Sequence, residues 1–179
     1  MTLIRSFLLL LAGAGALLGL SSCSRGGSSP SAAAVASGAA DLGARRIERL
    51  RAIDAEIERT GSWGPLLDAM SDDVTMRATV PEGTPISGMF RGKAEVRRYF
   101  DVVLPTVISR FDQQVPTEMV AHGNKVLVLG DDSMLLTVDG STHRSPYATV
   151  YEYDDRDRIR SMLVIQDLSG VAERYRRPR

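Results

Sequence analysis

Three aspartates stand where the pattern around them is apolar. A carboxyl held in apolar surroundings has its charged form disfavoured, so its pKa climbs toward neutrality and it can exchange a proton with a bound molecule. Asp54 follows Leu50 by four residues and precedes Ile57 by three, at the edge of a helical apolar stripe, where it either projects toward a cavity or pairs with Arg51 in solvent. Asp132 interrupts the alternating set Val126, Val128, Met134, Leu136 and Val138, so a regular strand carries it on the apolar face, whereas a bulge at Gly130 would turn it to solvent. Asp167 closes the run Met162-Leu163-Val164-Ile165-Gln166, which suggests a strand covered on both sides, and is the favoured general acid or base. It also precedes Leu168 to Glu173 and would equally cap a terminal helix. Tyr147, Thr149, Tyr151 and Tyr153 fall on one face of a strand, where they either supply a pocket with aromatic walls and hydroxyl handles or are half-exposed sheet residues. Trp63, Met162 and Val164 complete the expected ligand-binding set.

Other chemistries are poorly supported. Cys23 is the only cysteine, which leaves no internal disulfide and no cysteine metal cluster. His122 and His143 are isolated, so no metal site is expected, and no cofactor. His143 and Arg144 open a strand, and a solvated hairpin end competes there with an anion-binding role. Lysine plus arginine number 22 and aspartate plus glutamate 22, without a basic face, so nucleic acid is not an expected partner. The arginines of the tail, Arg174, Arg176, Arg177 and Arg179, read as a frayed terminus or a contact for anionic lipid heads.

Cys23 has a use of its own. A short n-region with Arg5 precedes the apolar run Phe7 to Leu20, too short for a comfortable membrane span, and Leu20-Ser21-Ser22-Cys23 has the small residues of a bacterial lipoprotein cleavage site. Residues 1–22 are therefore expected to be a signal peptide. Cys23 would carry a diacylglyceryl group on sulfur and an acyl chain, such as palmitate, on its amine, anchoring the protein to a membrane of the cell envelope on its extracytoplasmic side. Ser24 rather than aspartate favours the outer membrane where the cell has one. Residues 23–40, rich in Gly, Ser and Ala, read as a flexible linker, and 41–179 as one domain.

The elements that must position the acids can be read from periodicity. Ile47, Leu50, Ile53 and Ile57 predict a first helix ended by Gly61; Leu66, Leu67 and Met70 predict a short second one with Pro65 in its first turn. Val74 to Val80 reads as a strand, Pro81 to Pro85 as a turn-rich loop, and Ile86 to Phe90 as an extended piece. A third helix from Gly92 buries Val96, Tyr99, Phe100 and Val103 and stops at Pro105. Strands are predicted at Phe111 to Ala121, Lys125 to Val138, Thr142 to Tyr153 and Arg158 to Gln166. Three helices followed by an antiparallel meander make an α+β domain whose curved sheet buries one face under the helices.

Gly61-Ser62-Trp63, the stretch Leu66 to Val74, Gly88 to Val96 and Ile159 to Asp167, taken in that order of elements, resemble the nuclear transport factor 2-like superfamily, and within it the SnoaL-like domains related to polyketide cyclases and ketosteroid isomerase. The resemblance covers nearly all of Arg45 to Tyr175 and implies a cone-shaped curved antiparallel sheet covered by the three N-terminal helices. It implies a small, largely apolar organic ligand, and pairing through the exposed sheet face into a homodimer. It also places Asp167 where SnoaL-like cyclases and limonene epoxide hydrolase-like enzymes carry the acid or base of their last strand. The departures bear on activity. An ungapped alignment puts Ala78 at the catalytic acid of ketosteroid isomerase-like sequences, Asp54 at their helix-one tyrosine and Thr149 at their third-strand acid, so steroid isomerisation by that site is not expected. Asp132 and Asp167 fit the two acids of the epoxide hydrolase-like pattern, but Gly130 replaces its arginine. Three functions stay open: ligand binding, catalysis of cyclase, isomerase or epoxide hydrolase type with Asp167 assisted by Asp132 and Asp54, and a non-catalytic interaction module of an envelope assembly.

Overall fold

The stripe from Ile47 to Ile57 lies along the inner face of a helix, α1 (Ala32–Thr60), in a computed structural model that describes residues 32–79 and 84–176. The signal peptide, Cys23 and most of the loop from Pro81 lie outside the described residues. The helix starts well before the expected boundary at residue 41. The run Ala32-Ala33-Ala34-Val35-Ala36, counted as linker for its small residues, is also strongly helix-forming. Gly61 ends α1 with φ of 69°, a conformation that spares glycine the Cβ clash, and its N–H donates to the Ile57 carbonyl at 2.7 Å.

A short α2 (Gly64–Ala69), with Pro65 in its first turn, runs straight into β1 (Met70–Thr79), so the first strand begins four residues before Val74. After β2 (Gly88–Arg91) comes α3 (Lys93–Arg98), which continues as a π turn at Tyr99–Val103 and a 3-10 turn at Leu104–Thr106. Pro105 sits in that last turn, where the helical run stops. Then follow β3 (Ile108–His122), β4 (Lys125–Leu136), β5 (Thr142–Tyr153), β6 (Ile159–Gln166) and α4 (Ser169–Arg176).

The six strands form one sheet in the order β2-β1-β6-β5-β4-β3. β3 to β6 are the expected antiparallel meander, but β6 lies parallel to β1, so the sheet is mixed. Parallel partners need a long crossover, and everything between the two strands supplies it. Register shifts at three places along β3 bend the edge strand, and Pro116 is tolerated there because an edge has backbone positions without a sheet partner. Against β5, by contrast, β4 keeps one register from Lys125↔Glu152 to Leu135↔Thr142.

Leu66, Leu67, Met76, Val96, Met134 and Leu136 are almost fully buried between the helices and the sheet. The meander end is locked by a charged residue on the apolar stripe of α1, four residues before Leu50 and seven before Ile53. Arg46 is only 5% exposed; its Nε donates to Asp157 at 2.6 Å, its Nη1 donates to the Gly123 carbonyl at 3.2 Å, and its guanidinium lies 4.4 Å from the centre of the Tyr153 ring. The same α1 turn thereby fixes two hairpin turns of the sheet. The arginine-rich tail is helical through Arg176: Arg174 reaches Asp139 at 3.0 Å and the Tyr175 hydroxyl donates to the Thr106 carbonyl at 2.9 Å.

Candidate functional site

Strand alternation builds the site. On β4, Val128, Gly130, Asp132 and Met134 share the face that looks toward the helices, and the unbroken register with β5 sets Tyr147, Thr149 and Tyr151 beside them. Met162, Val164 and Gln166 of β6 extend the same floor. Asp54 and Ile57 of α1, Trp63 at the head of α2, and Phe100 and Leu104 of the third helical segment roof it. Trp63 stacks on Phe100 with ring centres 4.5 Å apart and meets Phe111 of β3 edge-on at 6.1 Å. The cavity between floor and roof has a volume of ≈ 80 Å³. A wider groove of ≈ 630 Å³ shares Asp54, Trp63, Phe100 and Phe111 with it and is rimmed by Glu58, Asp101, Arg110 and Asp112.

Asp132 is 5% exposed. Gln166 Nε2 donates to its Oδ2 at 2.9 Å, while Oδ1 is buried with no hydrogen-bond partner. Burial pushes this carboxyl up to about 7, with the neighbouring Asp131 charge adding to the rise and the Gln166 bond opposing it. Asp54 is half-buried and reaches about 6, also by burial; no described residue forms an ion pair with it, so Arg51 is not its partner. Both charges help to hold the Tyr147 hydroxyl, already raised by burial, in its protonated form, and Asp54 acts likewise on Tyr151. No lysine, arginine or histidine lines the cavity among the described residues.

Asp167 is not part of this site. It is exposed, its Oδ1 accepts the Ser169 N–H at 3.0 Å, and that bond, with the Ser169 hydroxyl and His143, holds its carboxyl below the usual carboxylate range. The chain has the helix-capping arrangement, and the epoxide hydrolase-like pairing of Asp132 with Asp167 is not formed. The reason is the strand's period of two: the alternation that carries Met162 and Val164 into the cavity carries Gln166 with them, and Asp167 falls on the other side. Ile165, 46% exposed, shows that β6 is covered on one face only. Replacing Asp167 by alanine should lower the melting temperature slightly through the lost cap and leave cavity binding unchanged, as thermal unfolding with and without a cavity ligand would report.

Trp63, Tyr147, Thr149, Tyr151, Met162 and Val164 all line the cavity, and so does Ala78; Tyr153 instead packs under Arg46. Gly130 marks no bulge against β5. A Cβ there would lie 2.6 Å from the Tyr147 ring, so the missing side chain makes room for that tyrosine. His122 and Arg144 are exposed strand ends, and His143 packs near Gly170 with its Nε2 unpartnered.

No family model and no curated protein matches the sequence. Solved structures do. An NTF2-like protein of unknown function from Burkholderia pseudomallei is 18% identical, with a TM-score of 0.64 over 74% of this chain and 98% of that one. TerC, co-crystallised with polyporic acid, is 21% identical, with a TM-score of 0.61 over 74% and 98%. A SnoaL-like polyketide cyclase, so described, from Jannaschia sp. CCS1 is 16% identical, with a TM-score of 0.61 over 77% and 96%. The chain therefore has the NTF2-like fold, and the function must be argued from its own residues.

Proposed function

We propose that this protein is a lipid-anchored envelope protein whose NTF2-like domain binds a small, largely apolar organic molecule in the cavity above Asp132. One observation carries the reading. Asp132 lines an apolar hollow with one carboxyl oxygen buried and unpartnered, and a buried polar atom left unsatisfied costs stability that a ligand donor would restore. The cavity holds a small molecule or the buried end of a larger one, with the adjoining groove taking the remainder. TerC, of the same fold, was crystallised with the small molecule polyporic acid, which supports the reading by analogy. The anchor rests on the Leu20 to Cys23 sequence.

The second reading is catalysis by Asp132. A carboxyl that titrates at about 7 is matched to proton transfer at neutral pH, and the Tyr147 hydroxyl on the same cavity can donate to a developing oxyanion. Asp167 has no role in it.

Native mass spectrometry of the protein extracted from its host's membranes tests the proposal. The expected species is a chain beginning at Cys23 with acyl mass on that residue, carrying a non-covalent organic adduct that is lost in the Asp132→Asn variant. An unacylated chain overturns the anchor. An adduct-free wild-type protein, or an adduct retained unchanged by Asp132→Asn, overturns the ligand site.

A further inference from the structure

The charge balance of the cavity points to one class of ligand. Its lining holds two carboxyls, from α1 and β4, and no cationic side chain among the described residues. Asp132 has only the neutral Gln166 amide on one oxygen and nothing on the other. An anion in this space would meet two acids and no donor stronger than a hydroxyl or an amide. A neutral ligand leaves both carboxyls desolvated without a counter-charge, so they stay protonated or pay to ionise. A cation removes that conflict. The remaining walls suit one too: Trp63, Tyr99, Phe100, Phe111, Tyr147 and Tyr151 surround the space, and the face of an aromatic ring attracts a positive charge.

We propose that the ligand is a small organic cation, a protonated amine with apolar substituents, whose N–H donates to Asp132 Oδ1 while its carbon groups pack against the aromatic walls. This rests on reading the cavity as a ligand site and narrows it to a chemical class. Tyr147 from β5, Gln166 from β6 and Asp131 on its own strand act on or feel Asp132, and Asp54 from α1 and Tyr151 from β5 line the same cavity; together they set the pH response. None is cationic, so beside the single Gln166 hydrogen bond the ligand's charge is the counter-charge left for the ionised carboxyl.

The test is calorimetric titration of the full-length protein in detergent with two pairs of probes matched in shape, isobutylamine against isobutanol and benzylamine against benzyl alcohol. At about pH 8 each ammonium should bind at least about tenfold more tightly than its alcohol, the margin of a single desolvated charge pair. Its affinity should fall roughly tenfold or more by about pH 5.5, where Asp132 and Asp54 are protonated while the amine, with a pKa near that of lysine, is still charged. Asp132→Asn should abolish the ammonium preference and keep the alcohol's weaker binding, and Asp54→Asn should reduce the preference. Alcohols that bind as tightly as the ammonium ions, or an affinity flat with pH, overturn the cation assignment and leave the ligand site standing. Failure of all four probes to bind overturns both.

Discussion

Asp132→Asn should make the protein more stable at about pH 8 by about 2–4 kcal/mol, and change its stability little at about pH 4. The sign follows from where the proton sits. In the folded chain the Asp132 carboxyl titrates at about 7, against 3.8 when unfolded. Between those values the native state holds a proton that the unfolded state has released, so stability falls as pH rises through the window and stays low above it. Asparagine is close to isosteric, accepts the Gln166 bond on its oxygen and never ionises, so it removes the penalty. Asp54, raised to about 6, contributes in the same direction over a narrower range. Urea unfolding of both proteins at the two pH values checks the claim; a variant that is equally stabilised at both, or destabilised at the higher one, would show that the wild-type carboxyl is not desolvated. Gaining stability by removing a polar group is the behaviour expected where a site has been kept for binding rather than for folding.

Most of the frame could be read from periodicity, because each element buries one face and its apolar spacing reports that face. The helix stripe from Ile47 to Ile57, the stop at Gly61 and the strand from Thr142 to Tyr153 stand where expected. What escaped were features set by partners distant in sequence. The parallel pairing of β1 with β6 joins segments nearly ninety residues apart, as in Met76↔Met162, and no local pattern announces it. Arg46 falls on the apolar stripe itself, four residues before Leu50 and seven before Ile53, but its partners Asp157, Gly123 and Tyr153 are set by tertiary structure.

The site shows the same division. Alternation offers Asp132 either the apolar face or, with a bulge at Gly130, solvent; it sits on the apolar face, and the register shift lies in the facing strand at Pro116, a residue type that itself marks edges and bulges. The apolar run Met162 to Gln166 points to Asp167 only when the strand's parity is ignored. Parity alone would have put Gln166, with Met162 and Val164, on the floor of the cavity and named it the partner of Asp132. The convergence of Asp54 with Asp132 depends on how α1 crosses the sheet, and that is tertiary information.

Gly130→Ala should destabilise the protein by about 1–3 kcal/mol and close the cavity. Gly130 is absent from the positions with positive φ, so its backbone would accept alanine; the objection is space alone. It stands directly across from Tyr147 in the β4–β5 register, and the ring lies over it so closely that a Cβ would come within 2.6 Å of Cε1, Cζ and the hydroxyl oxygen. The ring must then tilt off the strand, and the space beside it is the cavity, where its hydroxyl would approach Asp132 and take the volume open to a ligand. A double-mutant cycle isolates the cause. In a Tyr147→Ala background the added methyl meets no ring, so the second substitution should cost nothing further, giving a coupling energy equal in size to the single-variant loss, about 1–3 kcal/mol. Equal losses in both backgrounds would mean that the glycine serves the strand itself, and the account of how Tyr147 is held over the cavity would have to be abandoned.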